Sequence, residues 1–189
     1  MNEMKIRRLV VVLGDQLDSK AAWRDGFDPS KDALWMAEVG SEANHVWSHK
    51  QRIAVFLAAM RHFRQAREEE QIKVHYTQLE ETDPRNTLAS LLKRFLDENE
   101  VETVQMVRPG EWRVLNDLEK AVEGSGGTGL EILEDQTFFS TPDFFAEWAE
   151  GRKELTMEYF YRELRKREKI LLNEDSKPLQ GKWNFDEEN

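Results

Sequence analysis

Apolar and polar positions change period several times along the chain, and each change predicts an element. Leu9 to Leu13 is an unbroken apolar run that stops at Gly14-Asp15-Gln16. A short run of that kind, closed by a turn signal, predicts a strand covered on both faces, as in a parallel sheet. Gly14 allows a sharp turn. Asp15 and Gln16 then place a carboxylate and an amide just past the strand's carboxyl end, where open α/β sheets bind ligands. The alternative is a plain turn with Asp15 as a helix cap. Leu17 to Phe27 reads as a short helix or loop anchored by Trp23. Ala33 to Ala37 is the second strand, followed by Glu38-Val39-Gly40-Ser41-Glu42. A long helix is predicted from Ala43 to Glu69. Ile53, Phe56, Leu57, Met60 and Phe63 fall at the spacing of one buried face, with Arg61, Arg64 and Arg67 outside.

Ile72 to Tyr76 alternates and reads as the third strand. Asp83-Pro84 predicts a helix start, and Leu88, Leu91, Leu92, Phe95 and Leu96 carry that helix. Val101 to Val107 is the fourth strand, ending in Arg108-Pro109-Gly110-Glu111. A helix over Trp112–Val122, a glycine-rich loop over 124–129 and a fifth strand at Leu130–Leu133 follow. Strands alternating with helices predict an α/β fold, a Rossmann-like doubly wound parallel sheet of five strands. The alternation does not fix their order, and the commonest doubly wound arrangement, 3-2-1-4-5, is the expectation adopted. Strands 1 and 4 then flank the switch point, and the Gly14 and Gly110 turns face one crevice.

The pattern changes near Phe139. Thr141-Pro142-Asp143 opens a helix through Trp148. Thr156 is the predicted cap of another, Met157 to Lys169, with Met157, Tyr159, Phe160, Tyr161 and Leu164 inside a basic frame. The expected organisation is an α/β domain over 1–139 and a helical linker over 140–189. Trp183 and Phe185 close the chain with an aromatic density that suggests a docking surface, or a connection to further chain.

Composition narrows the chemistry. The chain has 189 residues, a formal net charge of −10, and no cysteine. The acidic balance argues against unaided binding of nucleic acid, whose phosphates call for basic residues. One stretch, Gly151 to Ile170, runs the other way, with seven basic and four acidic residues. It reads as a solvated helix face with salt-linked neighbours. The lack of cysteine removes disulfides, thiolate metal sites, iron–sulfur ligation and cysteine nucleophiles from this stretch of chain. No apolar run approaches a membrane span and no signal-peptide pattern precedes the first strand, so the expected location is cytoplasmic.

Phosphate-loop, dinucleotide and serine-elbow motifs are absent. His45 and His49, four apart, have zinc-like spacing. With no cysteine and no third ligand, a hydrogen-bonded pair near the crevice is the preferred reading. No catalytic residue and no metal ligand is assigned. Asp15, Glu38, Glu42 and Glu111 all fall just past strand ends. Such a carboxylate cluster takes the ring N–H and hydroxyl groups of a polar heteroaromatic ligand, or it caps helices.

Several blocks also carry a family resemblance. They are Leu13-Gly14-Asp15-Gln16-Leu17, Glu38-Val39-Gly40-Ser41-Glu42-Ala43, His49-Lys50, Ala59-Met60-Arg61-His62-Phe63, Arg108-Pro109-Gly110-Glu111-Trp112-Arg113, Leu155-Thr156-Met157-Glu158-Tyr159-Phe160-Tyr161-Arg162 and Gly181-Lys182-Trp183-Asn184-Phe185-Asp186. In this order they resemble the N-terminal part of the deoxyribodipyrimidine photolyase-related family. That is the bacterial iron–sulfur cryptochrome/photolyase group, which includes prokaryotic (6-4) photolyases. The resemblance runs from Arg8 to the last residue.

It implies a protein of light-driven DNA repair or blue-light sensing, with this segment as an antenna-chromophore domain that is not catalytic alone. The implied antenna is a lumazine, 6,7-dimethyl-8-ribityllumazine. FAD, the iron–sulfur cluster and damaged DNA are expected in a following FAD-binding helical domain, the implied partner. Gly14, Asp15, Gln16, Glu38, Glu42, His45 and Glu111 are the implied cofactor-binding residues. Phe56, if it faces the crevice, narrows it. The competing expectations are a stand-alone nucleotide-binding module and an interaction module that docks a separate helical partner.

Overall fold

The computed structural model describes residues 5–40, 48–81 and 83–184. They form two compact units, Met1–Asp135 and Gln136–Asn189. The first holds a five-stranded sheet: β1 (Ile6–Val11), β2 (Asp32–Ala37), β3 (Val74–Thr77), β4 (Val101–Val107) and β5 (Gly129–Leu133). Its order is β3-β2-β1-β4-β5 and every pairing is parallel, as the alternation of elements predicts. Leu9 stands opposite Ala33 on one side and Val104 on the other, which fixes β1 at the centre. Residues Leu9 to Leu13 are all buried, because a central strand in a doubly wound sheet has a helical layer over each face.

Among the described residues, the long helices of this unit are α1 (Lys50–Glu69), α2 (Leu88–Glu98) and α3 (Trp112–Glu123). Leu9, Val11 and Leu13 point into the core shared with Leu92 and Leu96 of α2 and Leu118 of α3. Val10 and Val12 point the other way, to Met60 and Phe63 of α1 and to Trp23 in a short 3-10 turn. The strands following β1 and β4 lie on opposite sides of those two, so their connections diverge and leave a crevice at their carboxyl ends.

Three predicted details differ. α1 begins at Lys50, not within a helix running from residue 43; residues 43–47 lie outside the described residues, and Ser48 and His49 are not helical. His49 is the N-cap, its Nδ1 accepting from the Gln51 amide at 3.2 Å. Arg67 is buried and stacks on Phe63, with its centre 4.9 Å from the ring, rather than lying outside. α2 starts four residues later than Asp83-Pro84 suggests. Thr87 and Ser90 form a reciprocal capping box there, and Asp83 instead takes the Arg85 amide and guanidinium.

The second unit contains α4 (Pro142–Ala149) and α5 (Met157–Arg167). Thr141 caps α4 by accepting from the Phe144 amide, whereas Thr156 makes no side-chain cap bond. Phe145, Trp148 and Phe160 make the small core, with ring centroids 5.0 Å apart for Phe145–Phe160 and for Trp148–Phe160. Of the residues expected inside the basic frame, Phe160 is buried, while Met157, Tyr159 and Tyr161 are exposed. Two helices this short have one small core to share, so the remaining aromatic side chains are left at the surface. Among the described residues no helix is long and apolar enough to cross a membrane.

Candidate functional site

The crevice is a cleft of about 400 Å³, within the span of roughly 300–1,000 Å³ usual for small-molecule sites. Leu13, Gly14 and Asp15 come to it from the end of β1, and Ala37, Glu38 and Val39 from the end of β2. Pro109, Gly110 and Glu111 come from the turn after β4. Ser48, Arg52, Ile53, Phe56, Leu57 and Met60 supply the α1 side, with Leu88 and Val114 completing the wall. The lining is mainly apolar with a few polar groups at the strand ends, a composition suited to holding a flat ring and fixing its edge.

The predicted residues have different positions in this arrangement. Gly14 lines the cleft, and the Phe56 ring and Met60 sulfur occupy the space that a Cβ there would fill. Asp15 lines the cleft. Gln16 is not among the lining residues. Its Nε2 donates to the carbonyls of Val107 (3.3 Å) and Arg108 (3.0 Å), lacing the turn after β1 to the end of β4. Its Oε1 is buried with no hydrogen-bond partner among the described residues. Glu111 lines the cleft at the N-cap of α3, makes no capping bond, and accepts from Arg113 at 3.1 Å. Glu42 and His45 lie outside the described residues. His49 is the N-cap of α1 and precedes its first turn; the expected His45–His49 pair involves a residue outside those described.

Glu38 reaches the cleft wall with its carboxylate engaged four times. Oε1 accepts from Arg61 Nε (2.7 Å) and the Tyr76 hydroxyl (2.5 Å). Oε2 accepts from Arg61 Nη2 (2.8 Å) and the Leu79 amide (2.9 Å). Burial alone would raise the Glu38 carboxyl. The Arg61, Tyr76 and Leu79 hydrogen bonds outweigh it and hold the group below the ordinary glutamate range. The same contacts raise the Arg61 guanidinium. Burial first, and then Glu38, raises the Tyr76 phenol. Glu38 therefore joins β2, α1 and the segment after β3 beneath the cleft.

Sequence reasoning did not single out Ser48, Arg52, Ile53 or Leu88 as site residues. Ile53 was visible only as part of a helical stripe, and Arg52 as one charge among many. What places both in the cleft is the start of α1 at Lys50, which the apolar spacing does not mark.

Two comparisons bear on this geometry. Residues 10–189 match the model of the family described as deoxyribodipyrimidine photo-lyase-related protein. The chain is also 40% identical over 182 residues to a (6-4) photolyase of Agrobacterium fabrum (strain C58 / ATCC 33970), covering 96% of this chain and 36% of that relative. The chain thus spans little more than a third of the relative's length. With the match running from within β1 through the second unit, this chain belongs to the deoxyribodipyrimidine photo-lyase-related family.

Proposed function

We propose that this chain is the antenna-chromophore domain of a photolyase-like protein acting in light-driven DNA repair or blue-light sensing. The observation that carries this reading is the cleft at the carboxyl ends of β1 and β4, apolar-walled and polar-edged, in a chain of this family. 6,7-Dimethyl-8-ribityllumazine suits it by size and by donor set. Leu13, Val39, Ile53 and Val114 would enclose the rings, while Asp15, Glu111, Ser48 and Arg52 would meet the polar ring edge and the ribityl hydroxyls. When bound, such a pigment supplies near-UV and blue light absorption. Gln16 and Glu38 would act by holding the walls, since their bonds tie strand ends together.

FAD, the iron–sulfur cluster and damaged DNA belong in this reading to the remaining length of a protein like the Agrobacterium relative. The boundary between antenna domain and helical linker falls near residues 135–140. The exposed Met157, Tyr159 and Tyr161 side chains of α5 would then be covered by the FAD-binding helical domain.

The test is an absorption spectrum of the purified chain before and after incubation with 6,7-dimethyl-8-ribityllumazine, and separately with FAD. A retained lumazine band, lost in Asp15→Ala and Glu111→Ala variants that still fold, is the expected result. FAD retained in place of lumazine, or bands unaffected by both substitutions, would count against the reading.

A further inference from the structure

Gly14 and Phe56 meet in the cleft, one at the end of β1 and the other on the first half of α1. A Cβ built on Gly14 would fall 2.5 Å from Phe56 Cε1, 2.6 Å from Cζ and 2.8 Å from Met60 Sδ. Contacts that short do not occur between real carbon atoms, so the ring rests in space that only a glycine leaves open. Gly14 is not among the residues with positive φ. Close approach, and not backbone conformation, is what calls for glycine here.

The two side chains over Gly14 differ in how they are held. Met60 is 3% exposed and belongs to the core beneath the sheet, whereas Phe56 is 44% exposed. A ring with nearly half its surface already in water gives up little apolar burial by turning outward. It is also the far end of a side chain with two rotatable bonds, so the movement needs no change in the backbone of α1.

We propose that Phe56 is the gate of this cleft and decides what it admits. Closed, the ring covers the Gly14 floor. A flat heteroaromatic ligand lies on that floor only after the ring has swung toward solvent. The ligand class rests on reading the cleft as a pigment site; the gate itself rests on the Gly14–Phe56 contact. A site competent for only a fraction of the time shows an affinity reduced by that fraction. Removing the ring therefore strengthens binding, whereas loss of a stacking platform would weaken it.

The experiment compares the 189-residue chain with its Phe56→Ala and Phe56→Leu variants. Folding is checked by circular dichroism and thermal unfolding. Each is titrated with 6,7-dimethyl-8-ribityllumazine by fluorescence anisotropy and with indole by calorimetry. The expected result is lumazine binding at least ~tenfold tighter in Phe56→Ala, with Phe56→Leu between, consistent with a mostly closed gate. Equal or weaker lumazine binding by a folded Phe56→Ala variant overturns the gate. If lumazine binds none of the three, the pigment reading fails and indole decides the gate. Indole bound by Phe56→Ala but not by the parent chain supports closure by the ring, and indole bound equally or by neither overturns it.

Discussion

Arg61 grips Glu38 with two parallel hydrogen bonds, 2.7 Å and 2.8 Å long, across 23 residues of sequence. Each carboxylate oxygen also serves a second donor, Tyr76 or the Leu79 amide, and the side chain has no solvent-exposed surface. Position at a strand end suggested a ligand contact for Glu38. The bonds it makes describe an anchor that shapes the cleft from behind.

Glu38→Ala leaves the Tyr76 hydroxyl and the Leu79 amide without their acceptor. Its expected loss of stability is about 3 kcal/mol, the low end for breaking a buried pair because Arg61 is partly exposed and screened. Denaturant unfolding measures it. Arg61→Met gives the pH signature. The Glu38 carboxyl is depressed when folded, so its contribution is complete above the ordinary value of 4.5 and is lost as pH falls through the lower folded value. The stability gap between the parent chain and Arg61→Met should therefore be full at neutral pH and close in acid.

His75 supplies a second, separate pH dependence. Burial, helped by the Lys73 charge, holds its imidazole down at about 4, against an ordinary 6.5. Its Nε2 is buried with no hydrogen-bond partner among the described residues, and its ring packs edge-on to Phe95 at 4.7 Å. The folded state thus keeps it neutral. Stability should be complete above pH 6.5, fall as the unfolded chain takes up a proton, and level off below about 4. The whole effect is about 3 kcal/mol at most. His75→Phe should remove most of this slope between pH 7 and 4, read from unfolding midpoints.

The start of α2 gives a paired test. Thr87 accepts from the Ser90 amide at 3.1 Å, and Ser90 Oγ accepts from the Thr87 amide at 2.9 Å. Thr87→Ala should lower stability by about 1 kcal/mol. Asp83→Ala removes an exposed pair with Arg85 and should change stability little. Equal losses would return the helix start to Asp83-Pro84.

Arg165 is buried among the stretch after α5. Its guanidinium donates to the carbonyls of Leu171 (2.9 Å), Ile170 (3.2 Å) and Trp183 (3.3 Å), and lies 5.1 Å from the Trp183 ring centroid. Arg165→Met leaves three carbonyls without that donor. Chymotrypsin should then cut near Leu171 and Trp183 several times faster, read by mass spectrometry of timed digests. Arg162→Met, whose charge pairs with Glu158 within the helix, should change the digestion less.

The parallel sheet was legible from the sequence because burial on both faces writes itself as an unbroken apolar run, whereas its order was expected only as the commonest doubly wound arrangement. Leu9 to Leu13 marked one central strand, Val101 to Val107 read as the other although Gln105 interrupts its apolar positions, and β-α alternation left few topologies to choose from. The edge strands were less sharply marked. β3 begins at Val74 rather than Ile72 because the Ile72 amide still donates to the Arg67 carbonyl at the end of α1, at 3.0 Å. Helix starts were misplaced wherever a local bond, such as Thr87 with Ser90, outcompeted a composition signal.

The site was legible as a place and not as a set of roles. Gly14, Asp15 and Glu111 could be located because they immediately follow strands that the apolar pattern defines. Whether Glu38 or Gln16 faces a ligand or another strand depends on partners 23 and 92 residues away. Phe56 over Gly14 depends on the pitch and starting point of α1. Hydrophobic periodicity is a property of neighbours along one chain segment, so sequence alone determined the elements and the edge of the sheet where the cleft lies. Contacts between segments are set by how those elements pack. Only the tertiary structure decided which side chain closes the cleft and which carboxylate is already taken.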